Sequence, residues 1–106
     1  MQRFNLHTHS VFSDGKSTPE EIVIEAIKQG LKVIGLSDHS PVPFENSFAI
    51  KNNEVQNYIG TIKSLKEKYK SQIDIYCSME MDFIPGIVNN FRQTKQSLGL
   101  DYMIGS

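Results

Sequence analysis

From Arg3 to His9 the chain alternates, with Phe4 and Leu6 opposite Asn5, His7 and His9. Strand side chains repeat every second residue, so this segment reads as a strand projecting both histidines from one face. Ser10 to Lys16, carrying Asp14-Gly15, reads as a loop with a turn signal. Thr18-Pro19-Glu20-Glu21 then predicts a helix start. Thr18 is the N-cap, Pro19 takes the first helical position and Glu21 completes a capping box. Ile22, Val23, Ala26 and Ile27 form an apolar stripe, and Gly30 is the stop.

Val33-Ile34-Gly35-Leu36 is a short apolar run with little alternation, the pattern of a strand covered on both faces, as in a parallel sheet. It leads into Ser37-Asp38-His39 and a loop with Pro41 and Pro43, through about Asn53. A second helix is predicted over Glu54 to Tyr69, with Val55, Tyr58, Ile59, Ile62 and Leu65 on one face. Ile73 to Met79 reads as a third strand, followed by Glu80, and Pro85-Gly86 marks a turn. A weaker helix covers Ile87 to Leu98, anchored by Val88, Phe91 and Leu98, and Tyr102-Met103-Ile104 opens a fourth strand.

The order βαβαβαβ implies an α/β fold with a parallel sheet and right-handed crossovers. A complete (β/α) barrel takes about 250 residues. The 106 residues are therefore expected to form a single domain that is the first portion of a larger barrel, incomplete at its C-terminal end. Such a piece leaves an apolar sheet edge through which copies could self-associate.

Composition narrows the class. A net charge of −1 provides no field to attract nucleic acid or an acidic membrane. Lys63, Lys66, Lys68 and Lys70 cluster at helical spacing and read as a solvated face. The lone Cys77 cannot form an internal disulfide and sits in an apolar run, which suits a core residue in a cytoplasmic protein. No charged leader precedes a long apolar stretch, and the apolar runs are too short to span a bilayer.

All three histidines lie in two short motifs where apolar runs end, His7-Thr8-His9 with Asp14 behind it, and Ser37-Asp38-His39. Each has a plain reading in isolation. Paired histidines are often polar loop residues, Asp14 fits a turn, Asp38-His39 fits a capping pair, and Glu80 fits a solvated strand end. Jointly they fit something else. In parallel α/β proteins the C-terminal strand ends share one surface, where active sites sit. His7, His9, His39 and Glu80 all fall there, and imidazole with carboxylate is the donor set of catalytic transition metals.

The segments HTHSVFSDG and GLSDHSP resemble the polymerase and histidinol phosphatase (PHP) domain, and SMEMDFIPG is similar to its histidinol-phosphate phosphatase branch. The resemblance runs along essentially all of the chain. It implies a distorted (β/α)7 barrel with two or three divalent metals in its mouth, and zinc, manganese or iron suits the donors. By position, His7 and His9 would bind one metal, Glu80 would bridge it to a second, and Asp14 and His39 would help hold a third. Asp38 and Asp82 would orient ligands, so Glu80 and Asp38 are the candidate catalytic residues. The implied activity is phosphoester hydrolysis on a small phosphomonoester, with histidinol phosphate suggested by the branch. An amidohydrolase-type hydrolase and a non-catalytic metal-binding fragment are the competing readings. The family supplies further histidines after the fourth strand, and this chain stops about where the next would come. Arg92 is a candidate anion contact, although a solvated helix arginine is the plainer reading.

Overall fold

A computed structural model describes residues 3–82 and 91–105 of the chain. The Pro85-Gly86 turn, the first residues of the predicted third helix with Val88, and the side chain of Phe91 lie outside this description. Four parallel strands, β1 (Phe4–Thr8), β2 (Val33–His39), β3 (Asp74–Met81) and β4 (Tyr102–Gly105), lie side by side in chain order. Between them run α1 (Pro19–Lys28), α2 (Val55–Lys68), entered through a 3-10 turn at Asn52–Glu54, and α3 (Phe91–Leu98).

Local chemistry sets the helix ends. The Thr18 hydroxyl accepts from the Glu21 amide at 3.1 Å, and Glu21 returns a bond to the Thr18 amide at 2.8 Å. That closes the expected capping box and satisfies two of the helix's free donors. Gly30 takes φ +79°, the left-handed turn that ends a helix at little cost only without a Cβ.

Strand parity divides the sheet into two chemically distinct faces. Ile34, Leu36, Ile75, Cys77 and Met79 are buried in one core with Val23 and Ala26 of α1 and with Tyr58, Ile59, Ile62 and Leu65 of α2. Residues of the other parity, Gly35, Ser37 and His39 on β2 with Ser78 and Glu80 on β3, belong to the opposite face. Tyr58 is wholly buried and ties α2 to the sheet. Its hydroxyl lies 2.7 Å from the Ser78 carbonyl and 3.0 Å from that of Leu36, and accepts from the Asp38 amide at 3.2 Å. The third strand runs longer than its apolar residues suggest. Glu80 lies within β3, in register with His39, rather than after the strand's end.

The sheet is curled. In a flat sheet, three steps of about 4.8 Å would set β4 about 14 Å from β1, beyond a tyrosine's reach. The Tyr102 hydroxyl nonetheless donates to the Leu6 carbonyl. It passes over Gly35, where an added Cβ would collide with that hydroxyl. The four strands therefore form a curled half-barrel, as the βαβαβαβ order implied.

Candidate metal centre

The C-terminal ends of β1, β2 and β3 bring the histidines together. Glu80 Oε1 lies 2.5 Å from His7 Nε2 and 2.9 Å from His9 Nε2. Asp14, from the loop after β1, places Oδ1 2.7 Å from His9 Nδ1 and Oδ2 3.1 Å from His39 Nε2. On the far side of that ring, His39 Nδ1 is 2.9 Å from Asp82 Oδ2 and 3.9 Å from Glu80 Oε2. The His9 and His39 rings meet edge to face with centroids 4.5 Å apart, and Phe48, from the loop after β2, packs its ring 5.4 Å from His39.

Three overlapping sets have donor atoms within 4.8 Å of one another: His7, His9 and Glu80; His9, Asp14 and His39; and His39, Glu80 and Asp82. The donor set fits a transition metal. Metal–ligand bonds near 2.1 Å at tetrahedral angles set neighbouring donors about 3.4 Å apart. The present spacings of 2.5 to 3.1 Å would open by less than about an ångström to admit an ion. Each of His9 and His39 has carboxylates on both ring nitrogens. That is the arrangement in which one nitrogen faces a metal and a carboxylate fixes the other.

The electrostatics agree with a site built for a cation. Burial alone would lower the His9 pKa, yet the bonds from Glu80 and Asp14 override it and raise it above the usual histidine value. Burial would raise Glu80, but the His7 and His9 imidazoles hold its carboxyl below the usual glutamate range. Asp14 is lowered against its burial in the same way, by His9 and His39. These carboxylates favour positive charge in the space between the rings.

His7, His9, Asp14, His39 and Glu80 thus all meet in one cluster, and Asp82 joins it through His39. Asp38 does not. It is fully buried on the helix side of the sheet, because adjacent strand residues face opposite ways and His39 takes the mouth. Its carboxylate accepts from the Ser10 amide at 2.5 Å, the Ser10 hydroxyl at 3.0 Å and the Ser13 hydroxyl at 2.6 Å. Of the two roles expected of Asp38, these bonds fit the orienting one: it anchors the loop that carries Asp14, and its side chain is fully buried. Gly15 closes that same loop against the backbone of His9, where an added Cβ would strike the His9 carbonyl. Arg92 is exposed on α3.

Sequence reasoning missed Ser10, Ser13, Phe48 and Tyr102. Ser10 and Ser13 sit inside the quoted first motif, and their spacing within its loop was an available signal. Phe48 lies in a loop with no periodicity to place it.

Fold and cluster define a class, a β/α half-barrel domain with a candidate metal centre at the C-terminal ends of its strands. The chain belongs to the PHP domain family, whose family model matches residues 5–106. A Bacillus subtilis histidinol-phosphatase is 30% identical over 93 residues, covering 79% of this chain and 35% of that protein. A Deinococcus radiodurans protein named a probable histidinol-phosphatase is 27% identical over 104 residues, covering 96% of this chain and 40% of its own length. The solved structure of a Lactococcus lactis histidinol phosphate phosphatase, complexed with zinc, L-histidinol and phosphate, superposes with a TM-score of 0.82 at 27% identity. That match covers 98% of this chain and 39% of the Lactococcus chain. The chain thus spans about two fifths of the length of these relatives. Among the described residues, no helix is long and apolar enough to cross a membrane.

Proposed function

We propose that this chain contributes the metal-ligating part of a phosphomonoester hydrolase. The observation that carries the reading is the single Glu80 oxygen shared by His7 and His9, with the Asp14–His39 pair beside it at the same strand ends. His7, His9 and Glu80 would hold one divalent metal, with Glu80 extending toward a second. His39 and Asp14 would complete a neighbouring position, with Asp82 fixing the His39 ring. Metals bound there would supply a water of lowered pKa and neutralise charge on a phosphoryl group. The chain's own residues aim the donors: Asp38 holds the Asp14 loop through Ser10 and Ser13, and Phe48 backs His39. Zinc, manganese and iron fit the mixed nitrogen and oxygen donors, two or three ions to a complete site. Names of the relatives, and the histidinol and phosphate in the Lactococcus structure, support histidinol phosphate as the substrate.

Glu80→Gln keeps the shape of the side chain but removes its charge. In the full-length protein it should lose at least one metal equivalent by elemental analysis. Hydrolysis of histidinol phosphate and of p-nitrophenyl phosphate should fall about a hundredfold or more. Unchanged metal content with normal turnover would refute the reading.

A further inference from the structure

We propose that Tyr102 is a positioning residue for the His7, His9 and Glu80 ligand set, acting from β4 through the backbone of β1. The inference rests on the reading of that set as a metal site.

The register of β1 against β2 shifts between Asn5 and Thr8: three steps on β1, from Asn5 to Thr8, oppose two on β2, from Ile34 to Leu36. One extra residue is accommodated here, a bulge, and His7 lies within it. Bulges re-aim side chains and disturb the ladder around them. Three side chains engage the backbone at this irregularity. Asn5 Oδ1 accepts from the His7 amide at 3.1 Å, and Thr8 Oγ1 donates to the Gly35 carbonyl at 2.7 Å. The third is Tyr102, whose hydroxyl donates to the Leu6 carbonyl, in the peptide that joins Leu6 to His7.

Two of the three contacts are local to β1 and β2. Tyr102 comes from the opposite margin of the described sheet, so its bond fixes both the bulge and the curl that carries β1 toward β3. Glu80 sits on β3, the strand that pairs with β4, and His7 and His9 converge on it from β1. The tyrosine spans the same gap on the same curled face. Its own carbonyl is held by the Ser78 hydroxyl at 2.7 Å, which fixes the strut at its base. Gly35 leaves the path open, since any Cβ there would displace the hydroxyl. Small residues at Gly35, Ser37 and Ser78 thus make room for one long side chain whose end meets the backbone beside a ligand.

The test uses Tyr102→Phe and, independently, Asn5→Ala in the full-length protein. Both are small changes that leave the helix-side core untouched. Metal affinity is measured by competition with a chromophoric chelator, and geometry by the visible absorption bands of the cobalt(II)-substituted protein. Both variants should bind the tightest metal about tenfold or more weakly, in line with the effect of other groups that orient ligands. Their cobalt bands should shift while circular dichroism stays that of the parent. The proposal is overturned if Tyr102→Phe matches the parent in affinity and cobalt spectrum, or if affinity falls only in step with lost folded signal. If the parent itself binds no metal, the metal-site reading fails instead, which separates the two.

Discussion

The carboxylate of Asp38 is bonded twice by Ser10, at 2.5 Å from its backbone amide and at 3.0 Å from its hydroxyl. The Ser13 hydroxyl adds a third bond at 2.6 Å. Wholly buried, this carboxylate is balanced by hydrogen bonds to the loop between β1 and α1, the loop that delivers Asp14 to the histidines. Hydrogen bonds to a charged group contribute about 1.5–3 kcal/mol each, and a buried donor left without a partner costs about 1–3 kcal/mol.

Asp38→Ala is therefore expected to destabilise the protein by about 2–4 kcal/mol in urea denaturation. Asp38→Asn, which keeps one acceptor oxygen, should lose less. A loss for the alanine variant within about 0.5 kcal/mol of zero, the range of ordinary surface changes, would show that the loop is held by other contacts.

Chelation should lower thermal stability. With the histidine and carboxylate donors drawn from three strand ends and two loops, an ion binds only the folded arrangement. At a free metal concentration a hundredfold above Kd, the linkage adds about 2.7 kcal/mol. Removing the ion from the full-length protein should then lower Tm on the order of 5–10 °C. Re-addition of zinc or manganese should restore it in differential scanning fluorimetry, and magnesium should not, because its oxygen-rich preference matches this nitrogen-bearing set poorly. An unchanged Tm in EDTA would argue that no ion is held.

What could be read from the chain alone follows from periodicity. The period of two through His7 and His9, the capping box at Thr18 and Glu21, and the apolar stripe through Tyr58, Ile62 and Leu65 are local patterns, and each element stands where the pattern put it. The same rule already sets Asp38 apart from the histidines. As neighbours on one strand, Asp38 and His39 cannot both face the mouth, and once His39 is a ligand its neighbour belongs to the core side. Tyr102 was out of reach for a different reason. Its partner Leu6 is 96 positions away, and the contact exists only because the sheet curls, a property that no local period encodes. Phe48 is intermediate: its loop is obvious from Pro41 and Pro43, but its packing on His39 depends on the path the loop takes back across the site.

Cys77 links burial to pH. It is 3% exposed in the core beneath α2, and burial pushes its thiol up to about 12, with the neighbouring Asp101 and Asp38 charges adding to the effect and Lys66 and Lys63 opposing it. The unfolded thiol ionises near 9, so between about pH 9 and 12 the unfolded chain has lost a proton that the folded chain keeps. The folded state binds more protons in that window, and stability must fall as pH rises through it. The contribution is intact below pH 9 and declines by up to about 1.4 kcal/mol per pH unit above it. Cys77→Ala should therefore flatten the dependence of unfolding free energy on pH between 9 and 11, at the cost of a small cavity that is the same at every pH. At pH 8 the native thiol should stay unmodified by iodoacetamide in peptide mapping and react fully in urea, because both the thiolate and the access it needs are absent in the fold. Rapid native alkylation at Cys77 would mean that α2 lifts from the sheet far more often than the buried Tyr58 bonds to Leu36, Asp38 and Ser78 allow.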